Sequence, residues 1–347
     1  MSVTALNLDP ERAAREARLR YVAEGTPGLR RRRCGRGFSY NDACGRPLRD
    51  RDTRAWIESL VIPPAWREVW ISPYRNGHIL ATGRDEKGRK QYIYHPRWTE
   101  LRARTNFHQL LPFGRALPGL RQRIDADLRR RGLPRERVLA LVVYLLQNTL
   151  IRVGNPQYAR ENRSYGLTTL LDRHLELDGA RVHLEFRGKH GKQHSVDLRD
   201  RRVARLLRQC QELPGQELFQ YLDEAGAQHT VESADVNDYL SASTGEEFTA
   251  KVFRTWGGSA AMVGALLELP PPGSEFEARK QVREAIKLTA QRLVNTVAVC
   301  RRHYVHPRIA ERYLDGSLRE ICGGGACVEP SFNDEERALM NLLLAEV

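Results

Sequence analysis

The chain has 347 residues, and 56 lysines and arginines against 43 aspartates and glutamates give it a net charge of +13. This length fits about two domains with buried cores, and the charge makes polyanions the expected partners. No apolar run approaches ~18 residues and the amino terminus lacks a signal-peptide pattern. These features argue against a membrane protein and predict a cytoplasmic, nucleoid-associated one that binds nucleic acid.

The basic amino-terminal part is expected to mix helices with short strands. A helix is predicted over roughly Glu11 to Glu24, and it leads into the arginine run Arg30 to Arg33. That run is either a solvated face or a surface that lies on phosphates. Strands are predicted at Phe38 to Tyr40 and Val69 to Ser72, with a helix between them near Arg54 to Leu60.

Two β-hairpins are predicted next, with turns at Asn76-Gly77 and at Asp85 to Gly88. Their strands, His78 to Thr82 and Lys90 to Tyr94, alternate basic and aromatic side chains. Such a β surface fits a DNA groove, and its candidate DNA-binding residues are Arg84, Lys87, Arg89, Lys90, Gln91 and Tyr92. Gly83 to Gly88 has phosphate-loop spacing, but Arg89-Lys90 follows instead of Lys-Ser/Thr, so no nucleotide site is predicted.

Near Trp98 the pattern changes from strands to helices, and a domain boundary is predicted close to Arg104. The expected organisation is a β-rich DNA-clamping domain at 1–104 and a mainly α-helical catalytic domain at 105–347. Pro112 to Pro118 is expected to interrupt the chain further.

The second domain is predicted to contain a core helix at Arg137 to Ile151, because its apolar residues recur at helical spacing. Gly154 and Pro156 are its expected stop signals, and Arg152 suits the end of a helix dipole. Val182, Leu184 and Phe186 then alternate as a strand of a hairpin with Lys189 at a mobile, glycine-flanked tip. Further helices are predicted at Asp200 to Cys210, Ser233 to Ala242, Phe248 to Leu267 and Asn333 to Glu346.

The segment from Gln281 to Pro307 is expected to be the functional centre around which the other elements are organised. It begins as an amphipathic helix, preceded by a capping box of Ser274 and Glu277. Tyr304 follows Asn295 by nine residues, so one unbroken helix would place their side chains ~13 Å apart on opposite faces. If both serve one site, the helix must break between them. The neighbouring arginines and histidines favour ionisation of the Tyr304 phenol, although a tyrosine alone is weak support for a nucleophile.

No metal or nucleotide cofactor is predicted. The six cysteines are scattered, which is typical of reduced thiols, and Cys322 and Cys327 lack a second pair that would complete a zinc site. Carboxylate clusters of the kind that hold magnesium are absent from the sequence. Any phosphoryl transfer is therefore expected to use protein side chains alone.

Five separated segments together carry a resemblance to a known family. They are ATGRDEKGRKQYIYHPRW, LIRVGNPQYARENRSYGLTTL, FRGKHGKQH, AKVFRTWG and LVNTVAVCRRHY. With them the chain resembles the type IB DNA topoisomerases of the compact poxvirus-like class, which has bacterial members. The resemblance implies an α+β fold, with a small β-hairpin-rich domain before a larger, mainly α catalytic domain of the tyrosine recombinase and type IB topoisomerase kind.

The resemblance also implies a reaction and its residues. A tyrosine, matched by Tyr304, attacks a backbone phosphorus, forms a phosphotyrosyl bond at the DNA 3′ end and releases a 5′ hydroxyl. Arg152 and Arg254 match the arginines that hold the non-bridging oxygens, and Lys189 matches the general acid. Since one phosphodiester is exchanged for another, supercoils are relaxed without ATP or a metal.

Three further positions are assigned by the same resemblance. Lys251, three residues before Arg254, matches another lysine of the family's site, and Tyr158 matches a phosphate-contacting tyrosine. Most relatives carry a histidine where this chain has Asn295, whose amide donates a hydrogen bond but neither carries charge nor moves a proton.

Double-stranded DNA is thus the expected partner, enclosed by a monomer whose two domains close around it. A tyrosine recombinase is the first alternative, because it uses nearly the same arginine, lysine and tyrosine set. Lys251 stands where recombinases usually carry histidine, and the amino-terminal hairpins resemble the topoisomerase cap. A non-catalytic DNA-binding protein is the second alternative, and composition alone would favour it.

Overall fold

The computed structural model describes residues 10–346 apart from 36, 87, 326 and 328, and it leaves the side chains of 103–106 undescribed. The chain divides into two compact units between Thr105 and Asn106. We call them the amino-terminal and the carboxy-terminal unit. The predicted boundary after residue 104 differs from this division by one residue.

A five-stranded antiparallel sheet forms the centre of the amino-terminal unit. Its strands are β1 (Leu29–Cys34), β2 (Gly37–Asn41), β3 (Arg67–Ile71), β4 (Ile79–Arg84) and β5 (Lys90–Tyr94), in the spatial order β2-β1-β3-β4-β5. The helices are α1 (Pro10–Glu16), α2 (Arg51–Ser59) and α3 (Pro96–His108), and α3 continues across the division. Leu29, Ile57, Val69, Ile71 and Ala81 form a small buried core on one side of the sheet.

The predicted strands β2 to β5 and helix α2 are confirmed, whereas the basic segments differ from the predictions. The predicted helix from Glu11 to Glu24 ends at Glu16, because Arg18 adopts a left-handed backbone with a φ of 55°. Arg30 to Arg33 belongs to β1, which the sequence analysis did not predict. There the guanidinium of Arg31 lies over the Phe38 ring and donates hydrogen bonds to three carbonyls. Tertiary pairing thus orders an arginine run that lacks any strand pattern of its own.

The carboxy-terminal unit is mainly helical, and together the two units confirm the predicted α+β class. Its helices are α4 (Leu110–Leu128), α5 (Arg135–Thr149), α6 (Pro156–Asn162), α7 (Arg201–Gln211), α8 (Ser233–Thr244), α9 (Lys251–Glu268), α10 (Glu275–Arg292), α11 (Val297–His303), α12 (Pro307–Leu314), α13 (Leu318–Gly323) and α14 (Asp334–Ala345). A three-stranded sheet contains β6 (Leu175–Asp178), β7 (Arg181–Arg187) and β8 (Gln193–Arg199), and β9 (Gln220–Leu222) pairs with β10 (Gln228–Thr230). Within the described ranges, no helix combines the length and the apolar character needed to cross a membrane.

Helices α5 and α9 occupy the centre of the carboxy-terminal core, since most of their residues are buried. The last helix, α14, packs on α9. Its Glu336 carboxylate accepts hydrogen bonds from Trp256 Nε1 at 3.0 Å and from Arg121 Nη2 at 2.7 Å. This buried carboxylate therefore joins α4, α9 and α14 around the core that positions the site.

Helix α4 shows that one predicted break is wrong. Residues 112–118 lie inside α4. Pro112 is in the first turn, where its missing N–H loses no hydrogen bond. Pro118 is accommodated because Leu117 and Leu120 beside it are fully buried, so packing outweighs the lost bond.

The boundaries of two other helices also differ from the predictions. Helix α5 ends at Thr149, two residues before the predicted Ile151, because Leu150 takes a left-handed conformation and its N–H bonds to the carbonyl of Leu146. Pro156 instead begins α6, which Asn155 caps. Helix α9 begins at Lys251, three residues after the predicted Phe248.

Candidate active site

The chain breaks at residues 293–296, so Asn295 lies within the break and Tyr304 follows a separate short helix. Helix α10 ends at Arg292, Val294 has a left-handed φ of 51°, and the Thr296 hydroxyl caps the short helix α11. Tyr304 is the first residue after α11, and its N–H donates to the Cys300 carbonyl at 2.9 Å. Because the helix is interrupted, Asn295 and Tyr304 are not related by the geometry of one straight helix.

Tyr304 is docked against helix α9 and is only 9 % exposed. Its carbonyl accepts a hydrogen bond from Ser259 Oγ at 3.2 Å, and the same hydroxyl accepts from the N–H of His306 at 3.0 Å. Gly258 lies so close that a Cβ added there would be 2.8 Å from the Tyr304 carbonyl oxygen. The backbone of Tyr304 therefore packs so closely against α9 that only glycine fits at position 258.

Arg254 lies beneath the tyrosine ring on α9 and is 3 % exposed. Its Cζ is 5.0 Å from the centroid of the Tyr304 ring. Its Nη2 donates to the carbonyl of Leu293 at 2.8 Å, and its Nη1 donates to the carbonyl of Leu150. The guanidinium thus joins the ends of α5 and α10 to the tyrosine, while burial, with help from the charge of Arg152, lowers its pKa to about 10.

Arg152 reaches the site from the segment that follows α5. Its Nη2 donates to Asn295 Oδ1 at 2.6 Å, which turns the amide nitrogen of Asn295 in the other direction. That nitrogen, Nδ2, is buried and has no hydrogen-bond partner within the described protein, and the same is true of Arg254 Nε. The site therefore holds two buried N–H donors that are not paired.

The electrostatics of the site favour the ionised form of Tyr304. Burial would raise the pKa of the phenol, but the charges of Arg254 and Arg152 outweigh burial and lower it from its ordinary value of 10.0. Lys251 contributes in the same direction. The structure thus brings Arg152, Arg254 and Lys251 within electrostatic reach of one phenol.

Lys189 lies at the exposed tip of the β7–β8 hairpin, and Lys251 is the first residue of α9. Both positive charges, after the larger effect of burial, lower the pKa of the imidazole of His303. Since His303 directly precedes Tyr304, the two lysines face the same end of α11. All five residues predicted to be catalytic, Tyr304, Arg152, Lys189, Arg254 and Asn295, are therefore gathered around this region.

Two histidines at the site were not among the predicted site residues. His303 is half-buried beside the lysines, and its position in the CRRHY segment was the available signal. His194 is buried at 4 % exposure, and after burial the charges of Arg152 and Arg254 are the main causes that lower its pKa, to about 4. Only the alternation of β8 hinted that its ring faces inward. In the part of the chain that the structure describes, no group of three His, Cys, Asp or Glu side chains is arranged to hold a metal ion.

The predicted DNA-binding set is divided by the structure. Lys87 lies outside the described residues. Lys90 and Tyr92 share the exposed face of β5, whereas Gln91 lies on the opposite, partly buried face, so the set does not form one β surface. Tyr92 is 42 % exposed and stacks on Tyr94 with ring centroids 5.7 Å apart.

Four described members of that set have intramolecular partners. Arg84 pairs with Glu68 at 3.0 Å, Arg89 with Asp85 at 2.6 Å, Lys90 with Glu24 at 2.6 Å, and Gln91 Nε2 donates to Asp85 at 2.9 Å. The Arg84–Glu68 and Lys90–Glu24 pairs are exposed and therefore weak, so phosphates compete with them readily, whereas the Arg89–Asp85 pair is partly buried. Tyr158, on α6 in the carboxy-terminal unit, is half-exposed. Its contact with phosphate stays a prediction.

A phenol flanked by two guanidiniums on a chain of net charge +13 defines a protein that handles phosphodiesters. Comparison with known families is consistent with that class. Residues 96–317, well over half of the chain, match the catalytic core of eukaryotic DNA topoisomerase I, and residues 37–85 match the N-terminal domain of bacterial DNA topoisomerase IB. The chain belongs to the type IB DNA topoisomerase family.

Individual relatives agree with this placement. DNA topoisomerase 1B of Acanthamoeba polyphaga mimivirus is 33 % identical over 264 residues, which cover 74 % of this chain and 79 % of the relative. DNA topoisomerase 1B of vaccinia virus (strain Copenhagen) is 23 % identical over 248 residues, covering 70 % and 75 %. The predicted family is thereby confirmed, and with it the predicted activity as a DNA topoisomerase rather than a recombinase.

Proposed function

We propose that Tyr304 performs the strand cleavage by which this chain relaxes supercoiled DNA. The observation that carries the proposal is the pair of buried, unpaired donors, Arg254 Nε and Asn295 Nδ2, beside a phenol with a lowered pKa. Each unpaired buried donor costs roughly 1–3 kcal/mol. The oxygens of a DNA phosphate are acceptors that would satisfy both donors.

In the cleavage step the phenolic oxygen of Tyr304 attacks the phosphorus of a backbone phosphodiester. The new P–O bond forms as the bond from phosphorus to the 5′ oxygen breaks, and the phenolic proton passes to solvent. Negative charge grows on the non-bridging oxygens, where the guanidiniums of Arg152 and Arg254 bind it. Loss of one such preorganised donor should cost on the order of 3 kcal/mol of transition-state stabilisation.

The leaving 5′ oxygen takes the electron pair of the broken bond and needs a proton. Lys189 is the proposed donor of that proton, with Lys251 as a second cation that faces the same end of α11. A positioned general acid is worth ~10²–10⁴-fold in rate. The reverse step uses the same groups: the 5′ hydroxyl attacks the phosphotyrosyl bond and Tyr304 leaves, so no ATP is needed.

In the amino-terminal unit, the exposed face of β5 is proposed to contact duplex DNA. Lys90 and the stacked pair of Tyr92 and Tyr94 support this, because they combine a cation with exposed aromatic rings on an edge strand. The clamping role of this unit, the monomeric state, the independence from nucleotide and the nucleoid location stay predictions.

Relaxation of a supercoiled plasmid that lacks recombination sites tests the proposal. In buffer with EDTA and without ATP, the wild-type chain should relax the plasmid fully, whereas Tyr304→Phe should bind DNA but leave it supercoiled. Relaxation by Tyr304→Phe would refute the nucleophile. Unchanged supercoiling with the wild-type chain would contradict the proposed reaction altogether, as expected for a site-specific recombinase or a non-catalytic DNA-binding protein.

A further inference from the structure

The hairpin tip that carries Lys189 is a turn closed by backbone hydrogen bonds. The N–H of Gly188 donates to the Lys192 carbonyl at 2.8 Å, and the N–H of Gly191 donates to the Gly188 carbonyl at 3.0 Å. His190 between them has a left-handed φ of 63°. Something must hold the closed turn in one orientation if the ammonium of Lys189 is to deliver a proton to a defined atom.

The ring of His194 lies directly under this turn. It stacks on the ring of Phe186, its cross-strand partner, with centroids 4.8 Å apart and planes 8° from parallel. A Cβ added to Gly188 would be 2.6 Å from both Cδ2 and Nε2 of His194. The residue immediately before Lys189 thus lies against the Cδ2–Nε2 edge of a buried imidazole, and the face of that imidazole stacks on Phe186.

The surroundings of His194 keep this ring neutral. Burial is the main cause and the charges of Arg152, Arg254 and Lys192 add to it, so the pKa of the imidazole falls to about 4. Around neutral pH the ring therefore adds no positive charge to the site and has no acidic second proton, although it keeps one N–H. Its contact with Gly188 is the feature that bears on Lys189.

We propose that His194 is a positioning residue for the reaction: its ring, stacked on Phe186, supports Gly188 and thereby sets where the Lys189 ammonium lies. This role rests on the proposed function, in which Lys189 protonates the leaving 5′ oxygen. A general acid must lie within ~2.6–3.2 Å of its acceptor. A displacement of ~1 Å costs ~10²-fold in rate, so loss of the supporting ring should weaken the acid step strongly.

A pair of substrates separates the acid step from the rest of the reaction. One is a duplex with the normal phosphodiester, and the other carries sulfur in place of the leaving 5′ oxygen. A thiol has a pKa of ~8.5, so the thiolate leaves without receiving a proton. Single-turnover cleavage of both duplexes is measured for the wild type, His194→Ala, His194→Phe and Lys189→Ala.

His194→Ala should cleave the normal duplex ~10–100-fold more slowly than the wild type, but should cleave the sulfur duplex at nearly the wild-type rate. His194→Phe keeps a flat ring on Phe186 and should restore most of the rate on the normal duplex. His174→Ala is the matched control, because His174 is another imidazole near Phe186, with centroids 6.4 Å apart. It should leave the ratio between the two substrates unchanged.

Equal slowing of His194→Ala on both substrates, or no slowing at all, would overturn the positioning role. If Lys189→Ala were not rescued by sulfur, the general-acid assignment itself would fail, and the role of His194 with it. Should His194→Ala not fold, Gly188→Ala tests the same contact from the other side, since its methyl group displaces the ring. It too should be slowed only on the normal duplex, and equal slowing on both would again overturn the proposal.

Discussion

Gly258→Ala is the smallest change that should displace the nucleophile. The added methyl carbon would lie 2.8 Å from the Tyr304 carbonyl oxygen, 3.0 Å from Leu293 Cδ1 and 3.3 Å from Tyr304 Cβ. Carbon contacts prefer about 3.5–4.0 Å. The backbone of Tyr304 therefore has to move away from α9, and Leu293, whose carbonyl holds Arg254, has to move as well.

The two consequences of this substitution have different magnitudes. Alanine inside a helix gains about 1 kcal/mol over glycine, and overpacking costs roughly 1–3 kcal/mol. The net effect on the free energy of unfolding is thus small, and the chain should still fold. A displacement of the reacting group by ~1 Å, however, costs ~10²-fold in rate. We therefore expect cleavage to fall ~100-fold in a protein that remains folded.

Single-turnover formation of the covalent protein–DNA adduct, with one labelled strand, measures this effect. Gly119→Ala is the matched control, because it adds the same methyl group inside helix α4 where nothing lies within 4 Å. It should cleave at the wild-type rate. If Gly258→Ala cleaved at the wild-type rate with its thermal unfolding unchanged, close packing of the Tyr304 backbone against Gly258 would not be needed for cleavage, and the reasoning would be refuted.

Three further predictions concern Tyr304 and the residues around it. Asn295→Ala should slow adduct formation ~10–100-fold, since it removes one hydrogen bond to a charged partner, and a loss as large as that of Arg254→Ala would contradict its modest role. Arg254→Ala should lower the free energy of unfolding, measured in urea, by ~2–4 kcal/mol, because the carbonyls of Leu150 and Leu293 lose their hydrogen-bond donor. If Arg254→Ala and Arg152→Ala were equally stable, this structural role of Arg254 would be contradicted. The lowered pKa of Tyr304 predicts that the cleavage rate rises with pH and levels off below the ordinary value of 10.0, and that Arg152→Gln moves this break to higher pH; an unmoved break would count against the electrostatic role.

Much of the fold follows from local patterns in the sequence. The spacing of apolar residues predicted α5, α10 and α14, and alternation predicted β7 with Val182, Leu184 and Phe186 buried. Elements set by tertiary contacts were missed. The arginine strand β1 depends on pairing with β2 and β3, and Leu150 ends α5 in a left-handed conformation that disfavours a side chain of its kind.

In the candidate site too, some features could be predicted from the sequence and others depend on tertiary contacts. The resemblance to a family selected Arg152, Lys189, Arg254, Asn295 and Tyr304 as members of the site, and helix geometry then required a chain break if Asn295 and Tyr304 serve one site. The structure alone shows that Val294 and the Thr296 cap make this break. It alone shows that Arg254 bridges the ends of two helices. The support of Gly188 by a ring five positions past Lys189 depends on the cross-strand register of β7 and β8.

Trapping the cleaved state tests the central claim most directly. That claim is that Arg152, Arg254 and Lys189 converge on a phosphate that faces Tyr304. Wild-type protein is mixed with a duplex labelled on one strand and denatured with detergent, and the attached residue and DNA end are identified by peptide mass and end-label analysis. We predict one adduct, at Tyr304, joined to a DNA 3′ phosphate. An adduct at another residue or at a 5′ end, or an undiminished adduct in Tyr304→Phe, would contradict that arrangement.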